Sequence, residues 1–393
     1  MSAERRGRSL ASLALIAPLA LFLVVFFAAP LYTMMSAAVS DPIAARALPK
    51  TASEIGSWDG ADAPDPKIQA AFAQDVRAIN DDQLFGDLVR RLNSSKSGFR
   101  TLMSKTRNAL RDDVSTSDLA AIDKRWGDPA FWQAIKIATA STITDRNLLS
   151  AIDLERSPLG NIQPMPEGSS ANRTILIRTF VVSLMVTVAC LLIGLPYAMI
   201  AASAEGWRRQ LLLGAVLLPL WTSLLVRTAA WFILLQDNGL INSSLMALGL
   251  TSGPIPLIFS RTGVVIAMTH VLLPFMVLPI FSVLIGIPKN LMPAAASLGA
   301  PPLRAFWKVL LPLSMRGVVS GTLLVFMSAL GYYITPALIG GAQDQMISSV
   351  IAYYATGAAN WGMAGALGLV LLGATLILYT IYLQLSGDKQ ARQ

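Results

Sequence analysis

Two ionisable side chains, Arg227 and His270, lie within long apolar segments of this 393-residue chain. A charged group in hydrocarbon costs about 2.5–3.5 kcal/mol on insertion scales unless it faces a partner or a water-filled cavity. Arg227 is therefore a candidate ligand for a transported solute, although an arginine near the end of its segment can also extend its guanidinium to the membrane surface. His270 is the only histidine, and without a carboxylate nearby it fits the donor of a helix-packing hydrogen bond better than a proton relay.

These groups do not form a catalytic constellation, because acids and bases do not recur at catalytic spacing in any apolar segment. The sequence contains no Gly-rich phosphate loop with its lysine. Its single cysteine, Cys190, excludes an intrachain disulfide and a cysteine metal cluster. We expect no catalytic residue, no bound metal and no cofactor in this chain. A membrane enzyme using His270, Arg227 and acids near the outer loops is the disfavoured alternative.

The composition indicates a membrane protein. The chain is 54% apolar and 14% charged, which is too apolar for a soluble domain of this size. Its net charge is +8, yet 18 of the 23 acids lie in residues 41–172 and the basic surplus lies beside the apolar segments. This is the positive-inside pattern of a protein in a lipid bilayer, and it argues against a nucleic-acid partner.

Six segments are long enough to cross a bilayer, which takes about 20 apolar residues. They are predicted at about residues 10–39, 175–201, 211–235, 262–287, 317–339 and 362–385. The basic residues beside them place both termini in the cytoplasm. Gly331 and the Thr335-Pro336 pair should interrupt the fifth helix. Gly362, Gly365 and Gly368 share one face of the sixth, which would permit close helix contact.

The predicted domains follow from these segments: residues 1–39 are a cytoplasmic N-terminus and first helix, 40–172 a periplasmic insertion, and 173–393 the core. The insertion is polar and charged, with apolar residues at helical spacing, and it is long enough to bury a small core. Its role is open between docking a periplasmic partner and forming a packing collar. The fold class is thus all-α, with six transmembrane helices and a large helical insertion between the first two.

A basic stretch, residues 287–313, separates the fourth and fifth apolar segments. Residues 294–298 are strong helix formers, Gly299 should end that helix, and a Pro-Pro pair ending at Pro302 should begin another that Pro312 ends. The pattern predicts a compact helix-turn-helix at the cytoplasmic surface. It carries the basic residues Lys289, Arg304 and Lys308.

This stretch resembles the cytoplasmic loop of the permease subunits of ABC importers, which reads Glu-Ala-Ala, three residues, Gly, nine residues, an aliphatic, one residue and Leu-Pro. The matching positions here are Pro293, Ala294, Ala295, Gly299, Val309, Leu311 and Pro312. The one departure is Pro293 in place of Glu. In that family the loop contacts the ATPase, and the resemblance implies the same for the loop at 288–312. The residues implied in coupling are Pro293, Ala294, Ala295, Gly299, Ala300, Arg304, Lys308 and Pro312.

Two further segments, LPLWTSLLVRTAAWFILLQDNGLIN and GTLLVFMSALGYYITPALIGG, resemble the polyamine, opine and phosphonate-type branch, which includes spermidine/putrescine permeases. The resemblance implies a small amine-bearing solute of one of these kinds. Tyr332 stands where the branch commonly has an acid, which counts against a polyamine. The residues implied along the translocation path are Trp221, Arg227, His270, Tyr332, Tyr333 and Thr335.

The resemblance also implies partners and a location. An ABC ATPase dimer would bind ATP and Mg, a second and different permease subunit would complete the path, and a periplasmic binding protein would deliver the solute. All would act at a bacterial inner membrane. The alternative is a membrane-anchored scaffold that recruits a periplasmic partner through its insertion.

Overall fold

The computed structural model describes residues 16–112, 118–156, 161–166, 168 and 170–387. The predicted basic ends of the chain, with Arg5, Arg6, Arg8, Lys389 and Arg392, lie outside the described residues. The described residues are helical apart from loops and one antiparallel hairpin of β1 (Leu154–Arg156) and β2 (Ile162–Pro164). This hairpin was not predicted, but it leaves the all-α class unchanged.

The helices fall into two groups. The first group is α1 Ile16–Ala37, α2 Ile43–Ala47, α3 Pro49–Glu54, α4 Pro66–Ala78, α5 Asp82–Ser95, α6 Phe99–Asp112, α7 Leu119–Ile122, α8 Pro129–Ala140 and α9 Arg146–Ala151. The second group is α10 Asn172–Ser203, α11 Gly206–Trp221, α12 Leu224–Leu234, α13 Leu240–Ala247, α14 Arg261–Leu284, α15 Leu291–Ser297, α16 Pro302–Leu330, α17 Ile334–Ile339, α18 Ile347–Ala352 and α19 Trp361–Gly387.

Five helices, α1, α10, α14, α16 and α19, are each long and apolar enough to cross a membrane, and the pair α11 and α12 makes up to six spans. The prediction of an all-α membrane protein is confirmed. The third span is not the single helix expected at 211–235, because α11 and α12 meet at a bend of 101°. Pro219 supplies no N–H to the last turn of α11, and the Ser223 hydroxyl accepts from the Val226 N–H to start α12.

The fifth span also differs from its prediction of 317–339. It starts in the basic loop at Pro302 and runs to Leu330, so Pro312 does not end a helix. A π-helical turn over Phe306–Leu310 precedes Pro312. Proline has no N–H to donate, and its ring clashes with the carbonyl four residues earlier, so the wider π-helical turn makes room for it inside the helix. The expected break at Gly331 is observed, and α17 follows it with Thr335 and Pro336 inside.

Residues 16–149 with 361–366 form one compact unit. Its core is built around Phe72, Trp126 and Trp132, whose rings lie 4.9–5.4 Å apart between centroids. The buried Asp75 carboxylate accepts from the backbone N–H and the hydroxyl of Thr51, each at 2.7 Å, and so caps the start of α3. The insertion helices therefore bury a hydrophobic core of their own.

Within this unit the start of α19 packs closely on the end of α1. A Cβ built on Gly365 would lie 2.2 Å from the Met34 carbonyl oxygen, and one on Gly362 would lie 3.1 Å from that of Ala37. Close helix contact therefore requires glycine at position 365 and leaves little room for a side chain at position 362. At Gly368 a Cβ would meet nothing within 4 Å among the described residues, so the close contact between these two helices does not extend to it.

Residues 150–360 with 367–387 belong to the second unit, whose centre is the packing of α10, α14 and α16. Small residues allow this close approach. A Cβ on Gly317 would lie 2.8 Å from the Ile280 Cα, and one on Gly194 would lie 2.8 Å from the Met276 side chain. These three helices form the apolar frame on which the two candidate sites are built.

Candidate functional site

The turn after α15 is fixed by hydrogen bonds and by one left-handed glycine. Gly299 has φ +83°, and its N–H donates to the Ala296 carbonyl at 2.9 Å. The Ala300 N–H donates to the Ala295 carbonyl at 3.0 Å. This pair of bonds is the Schellman motif, which closes a helix at its C-terminus and favours glycine at the left-handed position. The predicted end of the helix at Gly299 is observed.

The turn presents an exposed surface. Leu298 at its apex is 89% exposed, and Leu303 and Trp307 beyond it are 70% and 60% exposed. Of the predicted coupling residues, Ala295 and Ala300 are half-buried, whereas the others are exposed: Pro293, Ala294, Gly299, Arg304, Lys308 and Pro312. Exposed apolar side chains beside basic ones at the end of a membrane helix form a surface suited to protein contact. We name residues 291–308 the coupling surface.

Pro293, the departure from the family pattern, occupies the first turn of α15. The first four N–H groups of a helix have no intrahelical partner, so proline at this position forfeits no hydrogen bond. Its carbonyl accepts from the Ser297 hydroxyl at 3.1 Å. The helix therefore forms without the family glutamate.

An ion pair joins the loop that precedes the coupling surface to the loop between α10 and α11. Lys289 Nζ lies 2.6 Å from Glu205 Oε1, between the loop before α15 and the loop between α10 and α11. Hydrogen bonding to Lys289 holds the pKa of the Glu205 carboxyl below its usual value. Both side chains are largely exposed, so the pair orients the loop more than it stabilises the fold.

A second group of side chains lies where α12, α14 and α17 meet. The hydroxyls of Thr228 and Thr335 are 3.2 Å apart and buried. The indole N–H of Trp231 donates to His270 Nδ1 at 3.1 Å, and the two rings are 5.3 Å apart between centroids. Because Nδ1 accepts this bond, the neutral imidazole carries its proton on Nε2. His270 thus makes a helix-packing bond, but in this bond it is the acceptor and not the predicted donor.

Arg227 lies beside this group. Its charge acts on His270 and on Tyr332, so each of these lies within electrostatic range of the guanidinium. Its Nε and Nη1 are buried without a hydrogen-bond partner among the described residues. The break before α17 is held by the Ser348 hydroxyl, which donates to the Tyr332 carbonyl at 2.6 Å. We name Arg227, Thr228, Trp231, His270, Tyr332 and Thr335 the Arg227 cluster.

Two predicted path residues stand apart from this cluster. Trp221, at the end of α11, is 87% exposed and makes no hydrogen bond or ring contact with the cluster in the described part of the chain. Tyr333 is 45% exposed, and its carbonyl accepts from the Ser349 hydroxyl at 3.3 Å. Sequence reasoning missed Trp231, although it lies four residues after Arg227 on the same helix face.

Comparisons with a family model and with individual known proteins indicate the same protein family. Residues 194–388 match the family model described as "Binding-protein-dependent transport system inner membrane component". The spermidine/putrescine transport system permease protein PotB of Escherichia coli K12 is 34% identical over 208 residues, covering 52% of this chain and 76% of that protein. PotB of Haemophilus influenzae is 37% identical, covering 49% and 68%.

A third relative, the inner membrane ABC transporter permease protein YdcU of Escherichia coli K12, is 32% identical over 54% of this chain and 70% of its own length. All three are permease proteins by name, and the region that matches the family model contains the coupling surface and the Arg227 cluster. The chain therefore belongs to the permease subunits of binding-protein-dependent ABC importers, of the spermidine/putrescine permease type.

Proposed function

We propose that this chain forms half of the translocation path of an ATP-driven importer for a small amine-bearing solute. The observation that carries the proposal is the coupling surface, an exposed apolar and basic turn held rigid by a Schellman motif at the end of a membrane helix. Residues 293–312 would contact the ATPase. The continuous helix α16 would carry the movement from that contact into the membrane.

In this proposal the chain binds no cofactor and catalyses no covalent step. A dimer of ATPase subunits binds ATP and Mg and hydrolyses the nucleotide. A second, different permease completes the path, and both termini of this chain lie in the cytoplasm. A periplasmic binding protein delivers a solute of the polyamine, opine or aminophosphonate kind.

The insertion gives a second candidate function some support, because its helices bury a hydrophobic core of their own. Such a domain could dock the periplasmic binding protein within the importer. It could also serve a membrane-anchored scaffold that moves no solute. Two variants separate these functions, a substitution at Gly299 and a partial deletion of the insertion. If the chain is an importer subunit, the Gly299 substitution should abolish solute uptake. If the chain is a scaffold, only the deletion should have an effect, and that effect should be loss of partner recruitment.

The test of the proposal is purification of the tagged chain from its native membrane in mild detergent, followed by mass spectrometry of the proteins that accompany it. Recovery of an ATPase and a second permease is expected. Isolation of the chain alone, or with further copies of itself, in several detergents would refute the importer proposal.

A further inference from the structure

Two arginines of the insertion share one carboxylate. Arg91 on α5 donates from Nε to the Asp41 carboxylate, and the Arg91 side chain is only 9% exposed. Arg146, at the start of α9, lies close enough for the charges of Arg91 and Asp41 to act on it. Burial, and then repulsion from Arg91, lower the pKa of Arg146 to about 10, so it stays charged at neutral pH. The group therefore carries one positive charge that Asp41 does not neutralise.

Arg146 keeps donors available for a ligand. Its Nη2 donates to the carbonyl and to the hydroxyl of Ser94, each at 3.0 Å. Its Nε and Nη1 have no hydrogen-bond partner among the described residues, and neither nitrogen is enclosed. Ser94 and Ser95 place exposed hydroxyls beside the two guanidiniums. This arrangement suits a phosphate group, whose oxygens accept paired hydrogen bonds from a guanidinium.

The position of Arg146 along the membrane normal follows from α1. This helix has 22 residues, Ile16–Ala37, and is therefore about 33 Å long. The hydrocarbon core of a bilayer is about 30 Å thick, so the residues just after α1 reach the layer of lipid headgroups. Asn147, the neighbour of Arg146, donates from its side-chain amide to the Ala38 carbonyl at 3.3 Å. Arg146 is therefore held close to the level of the lipid phosphates.

An apolar groove begins beside the same residues. It has a volume of about 600 Å³, and its lining includes Leu31 and Ala37 of α1 and Trp361 at the start of α19. This volume lies within the range of roughly 300–1,000 Å³ of small-molecule sites. A Cβ on Gly362 would lie 2.5 Å from the Asn147 amide nitrogen and 3.1 Å from the Ala37 carbonyl. Asn147 therefore lies at the end of the groove, and the groove leads from α1 towards the arginines.

We propose that the groove and the arginines together bind one anionic phospholipid, with an acyl chain along α1 and the phosphate on Arg146. An apolar groove that ends at a surplus positive charge matches a molecule with an apolar chain and an anionic head. A helix of a second permease could fill the groove, but it would bring no phosphate to Arg146. The site belongs to α1, the insertion and the start of α19, and it does not rest on the importer function.

The test is photo-crosslinking in lipid nanodiscs that hold the full chain together with the proteins that copurify with it. Leu31, which lines the groove, is replaced by the photoreactive residue p-benzoylphenylalanine. The bilayer is an equimolar mixture of dioleoyl phosphatidylglycerol, which is anionic, and dioleoyl phosphatidylcholine, which has the same chains and no net charge. Mass spectrometry of the adducts gives the ratio of phosphatidylglycerol to phosphatidylcholine adducts.

Three variants are compared with the wild-type sequence in this reporter background. Arg146→Gln removes the charge, and Arg146→Lys keeps the charge but loses the planar fork. Arg100→Gln is the control, because Arg100 is an exposed arginine of the insertion whose side chain has no partner among the described residues. Each variant is also checked for copurification of the proteins that accompany the wild-type chain.

Phosphatidylglycerol adducts should exceed phosphatidylcholine adducts by about fivefold, the preference that one arginine gives near an anionic lipid. Arg146→Gln should bring the ratio close to one, whereas Arg146→Lys should retain part of the preference. Arg100→Gln should leave the ratio unchanged. An excess of inorganic phosphate, compared with chloride at the same ionic strength, should also leave it unchanged, because free phosphate has no chain to place in the groove.

Four outcomes would overturn the proposal. A ratio close to one with the wild-type sequence would do so whether or not the arginine variants fold, and so would an unchanged ratio in Arg146→Gln. Adducts with a partner protein in place of lipid would show that a protein segment fills the groove. Loss of the preference in inorganic phosphate would show that the arginines bind free phosphate and not a lipid.

Discussion

Replacing Gly299 by alanine should weaken both solute uptake and the ATP hydrolysis that accompanies it, through backbone strain alone. Gly299 has φ +83°, and a Cβ at this position would meet nothing within 4 Å. The added methyl group therefore causes no clash outside its own backbone. A left-handed conformation costs a non-glycine residue about 1–2 kcal/mol, which corresponds to about a 5- to 30-fold lower ratio of the native turn to altered conformations.

The loss should be visible because α15 has seven residues and depends on its two closing hydrogen bonds. The assay is the purified complex in lipid nanodiscs, with ATP hydrolysis measured with and without the solute-loaded binding protein. Proteoliposome uptake gives the solute moved per ATP. Stimulated hydrolysis and uptake should each fall, by up to about 5- to 30-fold, and Gly299→Asn should be milder because asparagine tolerates this conformation.

The chain contains a matched control in Gly249. This glycine follows α13 with φ +69°, a Cβ on it would also meet nothing within 4 Å, and it closes the same pair of hydrogen bonds. The Gly249 N–H donates to Met246, and the Leu250 N–H donates to Leu245, each at 3.0 Å. Gly249→Ala should impose equal strain yet leave coupling unchanged. Wild-type coupling in Gly299→Ala, or equal loss in both variants, would refute the reasoning.

Three further predictions follow from single contacts. Pro293→Glu should support solute uptake at least as well as wild type, because a glutamate in the first turn of α15 stabilises that helix by about 0.3–1 kcal/mol. A large drop in uptake with normal assembly of the complex would contradict this prediction. Thr228→Val removes the hydroxyl that pairs with the buried Thr335 hydroxyl and should cost about 1–3 kcal/mol in thermal unfolding in detergent. Thr228→Val with Thr335→Val should recover most of that loss, so additive costs would count against the pair. In the insertion, the hydrogen bond from Arg125 holds the pKa of Asp123 below its usual value of 3.8. The contribution of the ionised Asp123 to folding stability is therefore present above that pH and is lost as the pH falls through the folded-state pKa. Asp123→Asn should therefore lower the midpoint of urea unfolding, followed by tryptophan fluorescence, at neutral pH. The difference in midpoint between variant and wild type should narrow below about pH 4. An unchanged difference down to about pH 2.5 would disprove the stabilising role of the Asp123 carboxylate.

The sequence by itself predicted the features that short stretches of chain encode. Runs of about 20 apolar residues can be satisfied only by membrane helices, so the spans were predictable from length and composition. The turn at Gly299 was predictable because a glycine after a run of helix formers is a local stop signal. The break at Gly331 has a similarly local origin.

The tertiary structure decided how these pieces bend and meet. Pro312 carries a local signal for the end of a helix, but the π-helical turn before it allows α16 to continue. The third span was predicted as one helix over 211–235, and the 101° bend after Trp221 was seen only in the structure.

The Arg227 cluster shows the same limit most clearly. Trp231 and His270 are 39 residues apart in the chain, and Thr228 and Thr335 are 107 apart. Neither pair has a spacing that local backbone chemistry could fix. Helix propensity and apolar length act over a few turns, whereas contacts between distant polar groups depend on how α12, α14 and α17 pack together.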